Sequence, residues 1–526
     1  MYKKISKVSS FQSRYSNKVP DFENVVCPLI YPLYSEDVGL KEYLISKGVF
    51  VATYWPYVIK TCTPDMIEYD LASHLIALPI DQRYGLDEMK YILSVIDQFN
   101  KIRIMKKLLI LGSSKACKEM IAYAKSQGIY TIVTDYFPPE KSSAKLLADE
   151  YWMISTGDYD QLEIKCREEQ VNGVCSGIST FNIPATAELC KRLGLQAYCT
   201  PESWHYTINK YDFKALCRSC QVPVATDYFV SNPPTDEELN SIKFPVVVKC
   251  VDQSANRGMS YCSRKDDIAP AIEYALSFSK SDKYVIERML KGIEYTAYYA
   301  LADGEASLVC LFSDIAQKGT PNKCYTVNST ACDKLDLYLK EVDPYFRKAL
   351  KQGGISEGVC WIEMILDEDG HFYVIEMGYR MSGDMMAIPI QEVTGFNSYK
   401  WLIDYSLGAK RTAKDLPPSQ TEPFKRCGCS YILWSKAKKG VVSKIEGIDE
   451  ICSNSNVYLE PTVKVGSKFK ENQYLLTFLF TENNADEVCK VIENINKVVK
   501  VIDEEGEDVV MRFTDYDELR RIYYCK

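Results

Sequence analysis

Along residues 358–383, "GVCWIEMILDEDGHFYVIEMGYRMSG", apolar and polar positions alternate as strands do, with Trp361, Glu363 and Ile365 on one run and Phe372, Val374 and Glu376 on the next. The "DEDG" between them suits a tight turn, so the pattern predicts an antiparallel hairpin. Elsewhere the periodicity changes repeatedly. "FPVVVKC" is an apolar run built for a buried strand. "DDIAPAIEYALSFSK" puts Ile268, Ile272, Ala275 and Leu276 on one helical face, and "YVIERMLKGIEYTAYYALADG" gives two strands around a short connector. Residues 106–200 alternate short strands ("KKLLILGSS", "YTIVTDY", "EYWMIST", "VNGVCSG") with helices ("KEMIAYAKSQG", "IPATAELCKRLG"), which predicts a parallel sheet of Rossmann type. Past about residue 400 strands dominate ("KRCGCSYILWS", "VYLEPTVKVGSKF", "QYLLTFLF") before a helix at "ADEVCKVIENINKVV".

The hairpin brings chemistry with it. Antiparallel pairing around its turn sets Glu363 beside Glu376, and two adjacent carboxylates repel unless something positive lies between them. A hard divalent cation such as Mg²⁺, held through carboxylate and phosphate oxygens, meets that need. Arg380, four residues on, adds a fixed positive charge. Upstream, in order, stand Lys210 at the start of a helical segment, Lys249 at a strand end, a small-residue loop from Asp252 to Gly258 carrying Arg257, then Glu287, Leu290 and Glu294. Lysines offer point charges for phosphates, which metal ions also bridge. Any one of these groups alone reads as a solvated surface charge. Lys214, one helical turn past Lys210, is expected to be such a solvated lysine.

This ordered set resembles the ATP-grasp superfamily, in the branch of carboxylate–amine ligases, biotin carboxylase and D-alanine–D-alanine ligase, over about residues 106–526. The resemblance implies that Lys210 and Lys249 hold nucleotide phosphates under the 252–258 loop. Glu287 and Leu290 would meet the adenine, Glu294 the ribose, and Glu363 and Glu376 would coordinate Mg²⁺, with Mn²⁺ as a substitute. Arg380 would steady the acyl phosphate and the transition state derived from it, and Arg257, in the loop, would add charge over the phosphates on closure. The activity implied is an ATP-dependent ligation of a carboxylate to an amine, releasing ADP and phosphate. Two departures stand out: Gly378 occupies the position where the family usually has a metal-binding Asn, and the loop is poor in glycine.

Two other classes compete. A nicotinamide-dependent oxidoreductase would use Gly112 for a phosphate turn and Asp135 for a ribose, but "LGSSKAC" lacks the second and third glycines of a dinucleotide fingerprint. A non-catalytic nucleotide-binding or scaffold protein is the other alternative, suggested by Gly378.

The fold class expected is α/β and α+β multidomain: an α/β appendage (1–103), a Rossmann-like pre-ATP-grasp domain (104–203), a two-lobed ATP-grasp domain (204–412) and a small α+β C-terminal lobe packed on it (413–526). "GVVSKIEGIDEI" resembles the opening of the C-terminal domain of biotin-carboxylase-like ligases. The appendage, read as strand, helix, strand, proline-bounded strand and helix, resembles over residues 20–100 the small C-terminal domain of sugar-aminotransferase-type pyridoxal-phosphate enzymes. The large domain and its Schiff-base lysine have no counterpart, so no pyridoxal phosphate is expected. The resemblance implies a functional link to an aminotransferase.

Composition narrows the partners to small molecules. The 526 residues exceed one core, and a net charge of −8 argues against wrapping nucleic acid. The 20 cysteines are scattered through predicted strands and helices, and "MYKKISKVSSFQSRY" lacks an apolar run, so reduced thiols and a cytoplasmic location are expected. Cys217 and Cys220 form a lone C-x-x-C without a second ligand pair, and with only 3 histidines a histidine-based triad is improbable. No stretch reaches the roughly 18 apolar residues of a membrane span. A homodimer is the oligomeric expectation.

Overall fold

The computed structural model describes residues 30–35, 39–81, 83–251, 258–280, 283–319, 324–453 and 456–523. The chain divides into two compact units, Met1–Lys106 and Lys107–Lys526.

In the first unit, strands β1 (Ile30–Tyr34) and β2 (Leu75–Pro79) pair antiparallel. Leu33, Leu40, Leu44, Ile76, Leu78, Ile92, Val95 and Ile96 make its core, the last three from the long helix Leu86–Ile104. The strand expected around Val49–Tyr54 shrinks to a single bridge, Ala52 to Ala77. Trp55 takes a left-handed φ of 53° just before Pro56, and this turns the chain out of the sheet.

The second unit opens with the parallel sheet that the alternation implied. Strands β3 (Lys107–Leu111), β4 (Tyr130–Thr134), β5 (Glu150–Trp152) and β6 (Gly173–Ser176) lie in the order β5-β4-β3-β6, all parallel. Leu108, Leu109 and Ile110 are wholly buried, as a strand covered on both faces requires. A β-carbon at Gly112 would collide with the Asn182 amide, which donates to the Leu111 carbonyl at 3.0 Å. Asp135 is committed too. It accepts from Ser142 at 2.6 Å and from the Phe137 N–H at 2.8 Å, and it pairs with buried Lys145 at 2.9 Å. No free carboxylate remains there for a nicotinamide ribose.

Two antiparallel sheets follow. The smaller has the order β7-β10-β8-β9, from Asp227–Tyr228 (β7), Val246–Cys250 (β8), Met259–Cys262 (β9) and Tyr284–Arg288 (β10). The helix Ile268–Phe278 covers it through Ile268, Ala271, Ile272 and Ala275. The larger sheet contains β11 (Gly292–Ala302), β12 (Glu305–Ala316), β13 (Tyr325–Ser329), β14 (Gly358–Asp367) and β15 (Phe372–Gly378). It continues into β16 (Cys427–Ser435), β18 (Val457–Pro461) and β20 (Tyr474–Glu482), in the order β15-β14-β11-β12-β13-β16-β20-β18 among the described residues. The residues after 413 therefore do not only pack on the preceding lobe; β16 hydrogen-bonds to β13, with Val327 opposite Tyr431 and Ser329 opposite Cys429. Strand β17 (Lys439–Glu446), with β19 (Lys468–Lys470) and β21 (Lys500–Asp503), forms a separate ribbon, and the helix Ala485–Val498 buries Val488, Ile492 and Ile495 against the core.

Most thiols lie inside these layers, and every described cysteine is free. Cys217 and Cys220 are both buried, and Cys220 donates to Gln352 at 3.2 Å. Among the described residues no helix is long and apolar enough to cross a membrane.

Candidate active site

Strands β14 and β15 turn at Asp367–Gly370, where the Gly370 N–H donates to the Asp367 carbonyl at 2.9 Å and Gly370 takes the left-handed φ of 84° that the turn needs. The register sets Glu363 directly opposite Glu376 and Trp361 opposite Gly378. On the other side of β14, Thr296 of β11 faces Glu363 and Tyr298 faces Trp361. Directly opposed residues share a face of the sheet, so Glu376, Glu363 and Thr296 form one row. Glu294, Asp314 and Asn328 form the next, through the pairs Glu294–Asp314 and Asp314–Asn328.

The cations come from other elements. Asn209 caps the helix Lys210–Ser219 by accepting from the Tyr211 and Asp212 N–H groups, which fixes Lys210 at its first turn. Lys210 then reaches Glu376 at 3.2 Å. Lys249 on β8 lies diagonally across from Glu287 on β10 and forms an ion pair with it. Arg380 follows β15; its Nε donates to Thr180 at 3.2 Å and its Nη1 to the Met381 carbonyl at 2.8 Å. Thr180 belongs to the loop after β6, so the Rossmann-type layer helps to hold this arginine.

Charge is unevenly balanced between the two glutamates. Burial, then the nearby Glu376, Glu294, Asp314 and Asp384, raise the Glu363 pKa well above the ordinary carboxylate range. Burial pushes Glu376 the same way, but Lys210, Lys249 and Arg380 outweigh it and bring its pKa below normal. Burial raises Asp314, helped by Glu294, and burial raises Asp384 as well. The face thus holds more buried carboxylate than its cations neutralise. That donor set fits a hard divalent cation: Mg²⁺ takes one or two protein carboxylates and completes its shell with phosphate oxygens and water. Glu363 and Glu376 face one another directly within that set.

The remaining expected residues are placed as follows. Leu290 is buried with Ala225 and Ile365 in a small apolar cluster between the two sheets. Glu294 accepts from the Tyr325 hydroxyl. Arg257 and residues 252–256 of the loop lie outside the described residues; Gly258 has a left-handed φ of 68°. Lys214 is not the solvated lysine expected. Its side chain is 2% exposed, and its ammonium sits between Asp227 and Glu287, 2.8 Å from the latter. One turn past Lys210 points inward here, towards the small sheet. Glu287 therefore has two cations. Burial opposes its ionisation, yet Lys249 and Lys214 hold its pKa down at about 2.

Sequence reasoning missed four groups. Asp314 and Asn328 carry a faint signal, as polar residues within otherwise apolar strands. Asp384 carries none; it accepts from Ser382 at 2.7 Å and the Met386 N–H at 2.9 Å. Trp361 reads simply as an apolar strand residue. Its indole lies over Gly378, where any β-carbon would overlap the ring, and the Arg380 guanidinium stacks on the ring 5.0 Å from its centre. Gly378 is thus required by the ring facing it, as an aromatic side chain covers a cross-strand glycine.

The ATP-grasp domain family matches residues 242–388. The formate-dependent phosphoribosylglycinamide formyltransferase of Bacteroides thetaiotaomicron is 22% identical over 360 residues, 68% of this chain and 89% of that protein. Its namesake from Prochlorococcus marinus strain MIT 9515 is 29% identical over 191 residues, 36% of this chain, and the chain spans about half of that relative, 48%. The L-amino acid ligase of Bacillus licheniformis superposes with a TM-score of 0.62 at 17% identity, over 76% of this chain and 99% of that one. Glu287, Glu294, Glu363, Glu376 and Arg380 all fall inside the matched segment. The matched residues 242–388 sit in a mixed α/β chain whose wider fold is that of the L-amino acid ligase.

Proposed function

We propose that this site carries out the chemistry of an ATP-dependent carboxylate–amine ligase. A carboxylate is a poor electrophile because its leaving group would be oxide. Transfer of the γ-phosphoryl group of ATP converts it to an acyl phosphate; an amine then attacks the acyl carbon, and phosphate leaves with the bonding electrons while the amine loses a proton. Little covalent work falls to the protein, which positions the reactants and balances their charge. Lys210 and Lys249 hold phosphate oxygens, exchanging their present carboxylate partners for them. Leu290 and its apolar neighbours line the adenine, with Glu287 at its edge and Glu294 at the ribose. Mg²⁺, held by Glu363 and Glu376, would neutralise charge on the phosphates. Arg380, braced by Thr180 and stacked on Trp361, faces the acyl phosphate oxygens, and Arg257 adds charge from the loop.

The observation that carries this assignment is the register of Glu363 on Glu376 beneath Lys210, Lys249 and Arg380, inside the matched ATP-grasp segment. The relatives named for formate dependence favour a small carboxylate. The test is incubation with ATP, Mg²⁺ and pooled small carboxylates and amines, read by mass spectrometry. A condensed product with stoichiometric ADP and phosphate is expected. Nucleotide bound but never turned over, whatever the pool, would leave a scaffold and refute the ligase.

We further propose that the four segments 1–103, 104–203, 204–412 and 413–526 act as the domains of a cytoplasmic homodimer. The first would be a relative of the aminotransferase small domain, linking the ligase to an aminotransferase that supplies the amine. The strand–helix–helix–helix–strand–helix order of that unit's described residues and its self-contained core support this. A chain beginning at Lys107 should keep its specific activity per folded molecule; a well-folded but inactive truncation would show that the first unit completes the site.

A further inference from the structure

We propose that the indole N–H of Trp361 is a positioning donor to an anionic oxygen of the bound reactants, either of the transferred phosphoryl group or of the carboxylate. The inference rests on the ligase assignment above.

Trp361 is 5% exposed, and its Nε1 is buried without a hydrogen-bond partner among the described residues. Two other buried indoles are satisfied, and so is the half-buried Trp434. Trp152 donates to Glu150 at 2.7 Å, Trp401 to the Gly358 carbonyl at 3.0 Å and Trp434 to the Tyr325 carbonyl at 2.8 Å. An unmet buried donor is costly, and the cost is tolerated where a ligand will meet it.

The position is informative as well. Trp361 shares its sheet face with Glu363, Glu376 and Gly378, and Nε1 lies 2.7 Å from where a β-carbon of residue 378 would be. The nitrogen therefore sits where a side chain at 378 would begin, on the face that carries both glutamates. An indole N–H only donates, so what it meets there is an acceptor oxygen and not a cation. It lies beside an arginine whose guanidinium is stacked on the same ring, and that positive charge favours an anionic oxygen as the acceptor. If the ring served only to cover Gly378, phenylalanine would do as well.

The test uses the full-length protein and calorimetric titration with MgADP alone, then MgADP with inorganic phosphate, then MgADP with formate. Trp361→Phe keeps the cover over Gly378 and removes the N–H. It should bind MgADP within twofold of wild type and lose about tenfold or more in affinity for one anion, as expected for a hydrogen bond to a charged acceptor. The arm that falls identifies the oxygen's owner. Anion binding unchanged in both arms overturns the proposal. A wild type that fails to bind MgADP sinks the ligase assignment instead. Should the variant not fold, ¹⁵N-indole spectra of the wild type decide. One indole N–H signal should move downfield when phosphate or formate joins MgADP, and no movement among the six tryptophans overturns the proposal.

Discussion

Replacing Lys214 by alanine should cost more stability than any other single lysine change near the site. The ammonium lies between Asp227 and Glu287, whose side chains are 4% and 7% exposed. Removing one partner of a buried ion pair costs about 3–5 kcal/mol, because the other charge stays buried. Arg218 still serves Asp227 and Lys249 still serves Glu287, which places the electrostatic loss near the lower bound, about 3 kcal/mol. Truncating the buried stem adds roughly 1–2 kcal/mol at about 0.8 kcal/mol per methylene, discounted for partial collapse. Lys214→Met, which keeps most of the stem, should recover that second part only. Lys214→Met combined with Glu287→Gln should cost less than the sum of the two single changes, since the pair is coupled. The assay is native-state hydrogen exchange of the helix Lys210–Ser219, read as a local opening free energy, because a chain of two units need not unfold in one step. A loss under about 1 kcal/mol for Lys214→Ala, in the range of an exposed pair, would refute the buried clamp.

Glu376→Gln should abolish ADP formation and Glu363→Gln nearly so, since an amide cannot supply the charge that balances Mg²⁺; near-normal turnover in either would remove the metal site. Gly378→Ala should cost about 1–3 kcal/mol of stability through overpacking and lower turnover, because the added methyl must displace an indole held under Arg380; a thermal midpoint equal to wild type would mean that the ring is free to move. Glu287, with a folded pKa of about 2 against an ordinary 4.5, contributes on the order of 3 kcal/mol. A depressed carboxyl pKa gives stability that is full above about 4.5 and fades as pH falls towards about 2. Local opening free energies of β10 by hydrogen exchange should therefore decline more steeply over that window in wild type than in Glu287→Gln, and parallel curves would contradict the assignment.

The hairpin was legible because its alternation, turn and two acids lie within one short stretch, so local rules fix the register. The Rossmann-type sheet was legible for the same reason. Lys214 was not, because its environment is made by Asp227 and Glu287, which strand pairing brings in from later in the chain. The role of Gly378 was hidden in a cross-strand partner seventeen residues earlier, and a missing ligand looks identical in sequence to a space already filled. The pairing of β13 with β16 joins residues about a hundred positions apart across the proline-rich loop "KDLPPSQTEPF" at 414–424, where composition signals only a loop.

That last pairing bears on how the enzyme can be taken apart. A cut at the proline-rich loop looks convenient, but it would strip β16 from β13 and leave Val327–Ser329 as a raw sheet edge, open to pairing with any other chain. The catalytic strands and the C-terminal strands are one continuous fabric, so an excised 204–412 fragment should aggregate however well its active site is preserved. Grafts between related ligases would do better to exchange everything from the pre-grasp sheet to the C-terminus as one piece, with the seam near residue 106, where the chain itself divides.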